Sequence, residues 1–271
     1  MYYFKYKMKL VLTEKKKINK LVTIFRHLKG IVTDVNLIMS DEMFYIQSMD
    51  STHACLVEIK ILSGWFDKYK VDKDETLGIN SEILFKVIDC WKEGQEISIY
   101  TKNNNNNLFI DFNGEKQVTK MFQLPLIYID SDVMDIPEKE YDVDLVLKSN
   151  DLKELVNELQ IFNNNVIFKC SSDKENVIIE ANGGMGAMQV EIKDEDILEF
   201  AIQEDLDLSV TYALMYINTM CNFSKLNDSV YIHISEDIPL KMHYSLDDKD
   251  STDSENYVKF YLAPKIDDDD D

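Results

Sequence analysis

Apolar residues recur at spacings of three and four in a few short stretches of this chain and alternate with polar ones over most of the rest. The first stretch, about Glu14 to Lys29, places Ile18, Leu21, Val22, Phe25 and Leu28 on one face of a helix. Lys16, Lys20, Thr23 and His27 fall on the opposite face, flanked by Asn19 and Arg26. A second helix, Ser81 to Lys92, buries Ile83, Leu84, Val87, Ile88 and Trp91 and turns Glu82, Lys86 and Asp89 outward. A third, Asp151 to Gln160, is capped by Ser149 or Asn150 and buries Leu152, Leu155, Val156 and Leu159. The fourth, about Tyr212 to Cys221, is apolar nearly all round, so periodicity does not orient it. Segments such as Met43 to Gln47, Leu108 to Phe112 and Val177 to Glu180 read as strands.

The pattern repeats. Val57-Glu58-Ile59-Lys60 returns as Val190-Glu191-Ile192-Lys193, and Ile97-Ser98-Ile99-Tyr100 is echoed by Val230-Tyr231-Ile232-His233, each 133 residues on. Each half shows a strand, an amphipathic helix, alternating strands, a second helix and more strands. Two echoes at one offset with a shared element order predict a tandem duplication. Isolated helices among strands, without βαβ alternation, predict an α+β fold with antiparallel sheets. Between the halves, Leu124 to Pro137 is bracketed by prolines and is too apolar for a flexible tether. It reads either as an edge strand with a loop or as an ordered connector held down by alternate side chains.

Composition narrows the class. A chain of 271 residues, 45% hydrophobic, with four prolines and eight glycines holds one large or two ordinary globular domains. Lys5, Lys7 and Lys9 interrupt the start, which argues against a signal peptide, and no apolar run approaches the ~20 residues a membrane span needs. Cys55, Cys90, Cys170 and Cys221 stand singly and read as reduced core residues of an intracellular protein. The formal charge of −21 speaks against a nucleic-acid partner, yet Lys15, Lys16, Lys17, Lys20, Arg26 and Lys29 cluster early while the acids concentrate after residue 130. Asn103 to Asn107 reads as a solvated hairpin loop.

Nothing in the sequence assembles a catalytic centre. GxxxxGK[ST], GxGxxG after a strand, HExxH and GxSxG are all missing, and His27, His53, His233 and His243 stand apart. Asp248, Asp250, Thr252 and Asp253 approach a calcium loop but lack its glycine, which leaves a charged hairpin tip and no metal or cofactor.

Three blocks carry a resemblance. Gln47-Ser48-Met49-Asp50-Ser51-Thr52-His53, Ile136-Pro137-Glu138-Lys139-Glu140-Tyr141 and the terminal Tyr261-Leu262-Ala263-Pro264-Lys265-Ile266, followed by Asp267 to Asp271, occur in this order. Together they resemble the proliferating cell nuclear antigen family, the DNA sliding clamps of eukaryotic type, over nearly the whole chain. The resemblance implies two clamp domains, at 1–123 and 140–271, joined by an interdomain connector at 124–139. It implies antiparallel sheets outside, two helices per domain lining a central hole, and a non-enzymatic homotrimer on duplex DNA.

By position, the resemblance puts Lys20, Arg26 and Lys86 toward DNA phosphates, with Lys16 and Lys17 close by. Asp89, Asn157, Ile161, Met215 and Asn222 stand where the family commonly has a basic residue or histidine, so the charge is concentrated in the first half. The peptide pocket for DNA polymerase and other partners carrying a clamp-interacting peptide falls on Met49, Ala54, Leu56, Met134 and Ile136. Its second part falls on Pro239, Tyr261, Ala263, Pro264 and Ile266. Subunits would pair through about Lys116 to Gln123, with Val118, Lys120 and Phe122, against about Met185 to Ile192 of the next chain, with Ala187 and Gln189. The lysine that many members modify falls on Ser172, with Lys174 two residues on. A clamp loader and a nuclear location, or a viral replication site, follow from the same resemblance. A checkpoint-type heterotrimer subunit and a monomeric or dimeric viral-type factor gripping DNA by charge are the alternatives, with a catalytic protein a remote third.

Overall fold

The structure, a computed structural model, describes residues 6–103, 105–173, 176–247 and 254–265. The first half runs β1 (Tyr6–Leu12), α1 (Lys15–Leu28), β2 (Asp34–Met39), β3 (Met43–Met49), β4 (Cys55–Leu62), β5 (Lys68–Val71), β6 (Glu75–Asn80), α2 (Ser81–Ile88), β7 (Glu96–Lys102), β8 (Asn107–Asn113) and β9 (Lys120–Pro125). The second half returns the same order as β10 (Val143–Lys148), α3 (Ser149–Leu159), β11 (Asn165–Ser171), β12 (Asn176–Gly183), β13 (Gly186–Ile192), β14 (Ile197–Ile202), β15 (Asp207–Ala213), α4 (Leu214–Cys221), β16 (Ser229–Ile234), β17 (Leu240–Ser245) and β18 (Tyr257–Leu262). The two sequence echoes fall on equivalent strands, β4 with β13 and β7 with β16. The α+β duplication is therefore structural as well as local.

Contacts divide the chain into two units. The first comprises Met1–Asp50, Glu58–Met134 and Glu255–Tyr257; the second comprises Ser51–Val57, Asp135–Ser254 and Val258–Asp271. In the first unit β5-β1-β7-β8-β9 form an antiparallel sheet, and β6, β2, β3 and β4 neighbour one another in that order. The second unit repeats both arrangements as β14-β10-β16-β17-β18 and β13-β12-β11-β15. In each unit the two helices pack on each other.

The α1 apolar stripe is buried as its spacing requires, and Leu21 and Phe25 meet Leu37, Leu84, Ile97 and Leu108 in the first core. The second core is built around Phe168, Tyr212, Phe223 and Phe260, with the last two rings 4.9 Å apart edge to face. Four details differ from the sequence reading. Lys20 and Thr23, placed on the solvent face by the helical period, are buried at 7% and 6% exposure. The second helix ends at Ile88, and Ile83, at the edge of the stripe formed by Leu84, Val87 and Ile88, is 43% exposed. Ser149 is helical and Lys148 holds the cap position of α3 with no side-chain cap bond. Tyr212 belongs to β15, and α4 begins at Leu214.

Candidate nucleic-acid and partner interfaces

The cationic face of the first unit comes from α1 and α2. Lys16, Arg26 and Lys86 are exposed, and Lys17 is half-buried with its Nζ donating to the Trp65 carbonyl at 2.8 Å. Arg26 reaches across to α2, where Nη2 lies 2.9 Å from Asp89 Oδ1 and the guanidinium 5.9 Å from the Phe85 ring. Lys86 pairs with Glu82 one turn back at 2.7 Å, and Lys15 pairs with Glu93 at 2.6 Å. Lys29, 4.3 Å over the Phe85 ring, joins this face without having been assigned to it by the sequence. Exposed pairs of this kind are weak, worth ~0.2–1 kcal/mol each. They lower the field of the face while leaving its cations exchangeable. Thr13 anchors the start of α1 through N–H and Oγ1 donating to Asp67 at 2.6 and 2.9 Å. In the second unit α4 presents Met215 and the turn after α3 presents Ile161, 63% and 74% exposed, with Asn218 donating to Gln160 at 2.7 Å.

The connector begins in the first unit and is held by backbone bonds from amide side chains. Asn106 exchanges hydrogen bonds with Leu126, its carbonyl accepting at 3.1 Å and its Nδ2 donating at 3.2 Å. Ile127 N–H donates to the Gly78 carbonyl at 2.9 Å. A Cβ on Gly78 would lie 2.3 Å from the Ile127 oxygen, so that position requires glycine. Asn36 donates to Ile129 O at 3.2 Å and Ser131 Oγ at 2.9 Å. Gln47 then takes both polar groups of Met134: Nε2 donates to its carbonyl at 2.9 Å, and Oε1 accepts from its N–H at 2.7 Å. Gln47 is oriented by Tyr45, whose hydroxyl in turn bonds Glu58 at 3.0 Å.

These findings correct two expectations. The connector's own side chains hold it only in part: Leu124 is buried and Ile129 lies against Gly78, whereas Ile127, Tyr128, Val133 and Met134 are 42–89% exposed. The asparagine loop is likewise more than a solvated hairpin, because Asn106 fastens the connector. Asn36, Gln47 and Asn106 were missed in the sequence, where an amide among strand residues gives no signal of its partner. Met49 is half-buried at the end of β3.

In the second unit the segment after β18 docks by its backbone. Ala263 N–H donates to Ala54 O at 3.0 Å, and Lys265 N–H donates to Thr211 O at 2.8 Å. Lys265 Nζ also reaches Asn165 Oδ1 at 2.9 Å. Leu56 is buried at 8%; Tyr261, Pro264 and Ile136 are half-buried; Pro239 and Ala263 are exposed. The Pro239 carbonyl accepts from the Tyr141 hydroxyl at 3.2 Å. Ile266, the acid run 267–271, Lys174 and the 248–253 segment lie outside the described residues. Gly78 and Thr211, which receive Ile127 and Lys265, are themselves 133 residues apart, so connector and tail use one repeated edge.

Two further edges face no neighbouring strand among the described residues: β9 and β13 each end their sheet. Val118 (77% exposed) precedes β9, and Met121 within it is 76% exposed. Lys120 Nζ bonds the Cys90 carbonyl, while Phe122 is half-buried with its ring 5.6 Å from Phe112. Ala187 and Gln189 are exposed on β13. The repeats of these strands are β18 and β4, and in the second unit the end of β18 is already joined to the residues leading into β4 through Ala263 and Ala54.

Among the described residues no group of three or more His, Cys, Asp or Glu could hold a metal, and no helix is long and apolar enough to cross a membrane. Cys55, Cys170 and Cys221 are buried, and burial pushes the last two thiols up to about 12. Cys90, expected in the core, is exposed on the turn where α2 ends early.

A duplicated α+β unit with a helix pair in each half and a backbone-anchored connector defines a two-domain clamp. Residues 11–135 match the N-terminal domain of proliferating cell nuclear antigen and residues 135–265 its C-terminal domain. The chain belongs to the proliferating cell nuclear antigen family of sliding clamps. It is 26% identical over 244 residues to Proliferating cell nuclear antigen 2 of Drosophila melanogaster, covering 90% of this chain and 92% of that protein. It is 28% identical over 258 residues to Proliferating cell nuclear antigen 1 of Plasmodium falciparum (isolate 3D7), covering 91% and 93%. The crystal structure of Proliferating Cellular Nuclear Antigen from Entamoeba histolytica is similar with a TM-score of 0.84 over 97% of this chain and 100% of that one. At 23% identity that likeness is one of fold.

Proposed function

We propose that this chain is a non-enzymatic processivity factor that closes head to tail into a homotrimer around duplex DNA. It tethers DNA polymerase and other replication and repair proteins, in the nucleus or at a viral replication site, after opening by a clamp loader. The observation that carries this reading is the pair of edges β9 and β13, whose repeats are already joined within the second unit. A contact between two different edges of one chain is heterologous and generates a ring where the rotation closes. Lys16, Arg26 and Lys86, with Lys17 and the buried Lys20 behind them, are the residues proposed to meet phosphates, without regard to base sequence. Partner peptides are received on the second unit at Leu56, Ile136, Pro239, Tyr261 and Pro264.

Light scattering tests the assembly. A solution mass near three times 31.6 kDa supports the ring. A monomer or dimer that still stimulates a polymerase overturns it in favour of a factor gripping DNA by charge. A chain that assembles only with two other subunits overturns it in favour of a checkpoint-type clamp.

A further inference from the structure

Three residues grip the connector from one row of the first unit's strands. The register sets Asn36 of β2 opposite Gly78 of β6 and Ile38 opposite Tyr45 of β3, so two residues further Gln47 stands opposite Asn36. They meet the connector in turn at Ile127, at Ile129 and Ser131, and at Met134. Gly78 grips through its backbone carbonyl, whose direction is fixed, and Asn36 donates from its amide nitrogen to both of its partners. Gln47 differs, because it uses both ends of its amide at once. Turned over about its last bond, the same amide would set oxygen against the Met134 carbonyl and N–H against the Met134 N–H, and neither bond could form. Gln47 is 9% exposed, so water is a poor substitute for either.

We propose that Glu58 is the positioning residue of this clasp: acting through Tyr45, it fixes the Gln47 amide in the one orientation that receives Met134. The hydrogens run in a single direction. Gln47 Nε2 donates to the Tyr45 hydroxyl at 3.1 Å, and that hydroxyl donates to Glu58 Oε1 at 3.0 Å. A phenol carries only one hydrogen. While a carboxylate oxygen holds it, Tyr45 can only accept from Gln47. The nitrogen end of the amide therefore faces Tyr45, and the oxygen end is left for the Met134 N–H. Tyr257, from the start of β18, donates to the same Oε1 at 3.2 Å, which braces the carboxylate. Burial and the Glu58 charge hold the Tyr257 phenol well above its usual range, so it remains a donor. Gln47, Tyr45, Glu58, Tyr257 and Met134 all belong to the first unit. An effect on partner binding rests on the partner-peptide reading above; the positioning of the connector does not.

The test reads amide exchange at Met134 in the full chain, with Ile127 as internal control because Gly78, not Gln47, holds its N–H. Glu58→Gln keeps an acceptor oxygen toward Tyr45 and is expected to keep wild-type protection. Glu58→Lys puts a donor there, which leaves the Tyr45 hydrogen free for Gln47 Oε1 and favours the wrong orientation. Met134 should then exchange about fivefold faster, the worth of one hydrogen bond, with Ile127 unchanged. Glu58→Leu offers Tyr45 no acceptor and should fall between the two; it decides the matter if Glu58→Lys does not fold. In a Tyr45→Phe background the Glu58 substitutions should no longer differ at Met134. Equal exchange across the Glu58 variants with Tyr45 present, or a difference that persists without Tyr45, overturns the proposal. Faster exchange at Ile127 and Met134 alike in Glu58→Leu is a general loss of stability and overturns it too. Calorimetry with a glutamine-plus-two-aromatics peptide separates the two readings. Affinity that falls in the same order supports a connector held in place for its partners. No heat from any protein, wild type included, with the exchange order intact, overturns the partner-peptide reading and leaves Glu58 in its role.

Discussion

Gln47 and Met134 form a two-point clasp in which one side-chain amide satisfies both backbone polar groups of a connector residue, at 2.9 and 2.7 Å. The amide stands in for a strand neighbour, so the connector is ordered at Met134, beyond the stretch where it pairs with strands.

Gln47→Leu should therefore free the connector near Met134 and leave the fold intact. Two hydrogen bonds at about 1 kcal/mol each correspond to roughly thirtyfold faster exchange of the Met134 amide. Hydrogen exchange reads this directly, and unchanged protection would mean that the clasp does not order the connector.

Gly78→Ala should dislodge the start of the connector, since its new Cβ would sit 2.3 Å from a backbone oxygen. A destabilisation of about 1–3 kcal/mol is expected, with faster proteolysis between Leu126 and Ser131. Gly64→Ala serves as the control, because a Cβ there meets nothing within 4 Å. Equal melting temperatures for the two variants would refute the close approach.

Acid should cost this protein stability through His243. The side chain is 1% exposed, and burial, with Lys259, His233 and Lys241 adding to it, pushes its pKa down from 6.5 to about 3. The folded value is depressed, so the stability is complete above 6.5 and is lost as pH falls from there toward 3. Between pH 6.5 and 5 the loss is about 2 kcal/mol. Urea midpoints for wild type and His243→Phe at both pH values isolate the effect; parallel pH dependence in the two proteins would rule it out.

Asp89→Asn should strengthen DNA association by removing the carboxylate that pairs with Arg26 at 2.9 Å. If Arg26 meets a phosphate, the salt dependence should steepen by a slope of up to ~0.9, and Arg26→Glu should flatten it. A slope indifferent to both changes would leave these residues as ordinary helix-surface charges.

Val118→Glu with Met121→Glu should reduce the solution mass toward 31.6 kDa without unfolding the chain, since both side chains are about three-quarters exposed. Phe122 is a poorer choice because it packs on Phe112. A double variant that keeps the wild-type mass places the subunit contact elsewhere.

The repeat was legible because VEIK and its echo reflect whole strands, and the α1 core stripe because Ile18, Leu21, Phe25 and Leu28 obey the helical period. A wheel drawn for one helix carries no information on what packs around it, so it misplaced Lys20. The clasping amides were illegible for a different reason. Gln47 and Asn106 bond residues 87 and 20 positions away, and polar side chains carry no periodicity that reports such partners. Charge position along the chain showed where cations gather, but not that Asp89 and Glu82 would sit against two of them.

Those two ion pairs bear on friction. A bare guanidinium or ammonium would bind a phosphate firmly, and each step along a duplex would have to break that bond before making the next. With Asp89 and Glu82 in place, an arriving phosphate exchanges one anion for another, and its departure lets the carboxylate return. For a chain that slides on a duplex as proposed, the free-energy profile for translation is then shallower, and the resident acids act as a lubricant on this face.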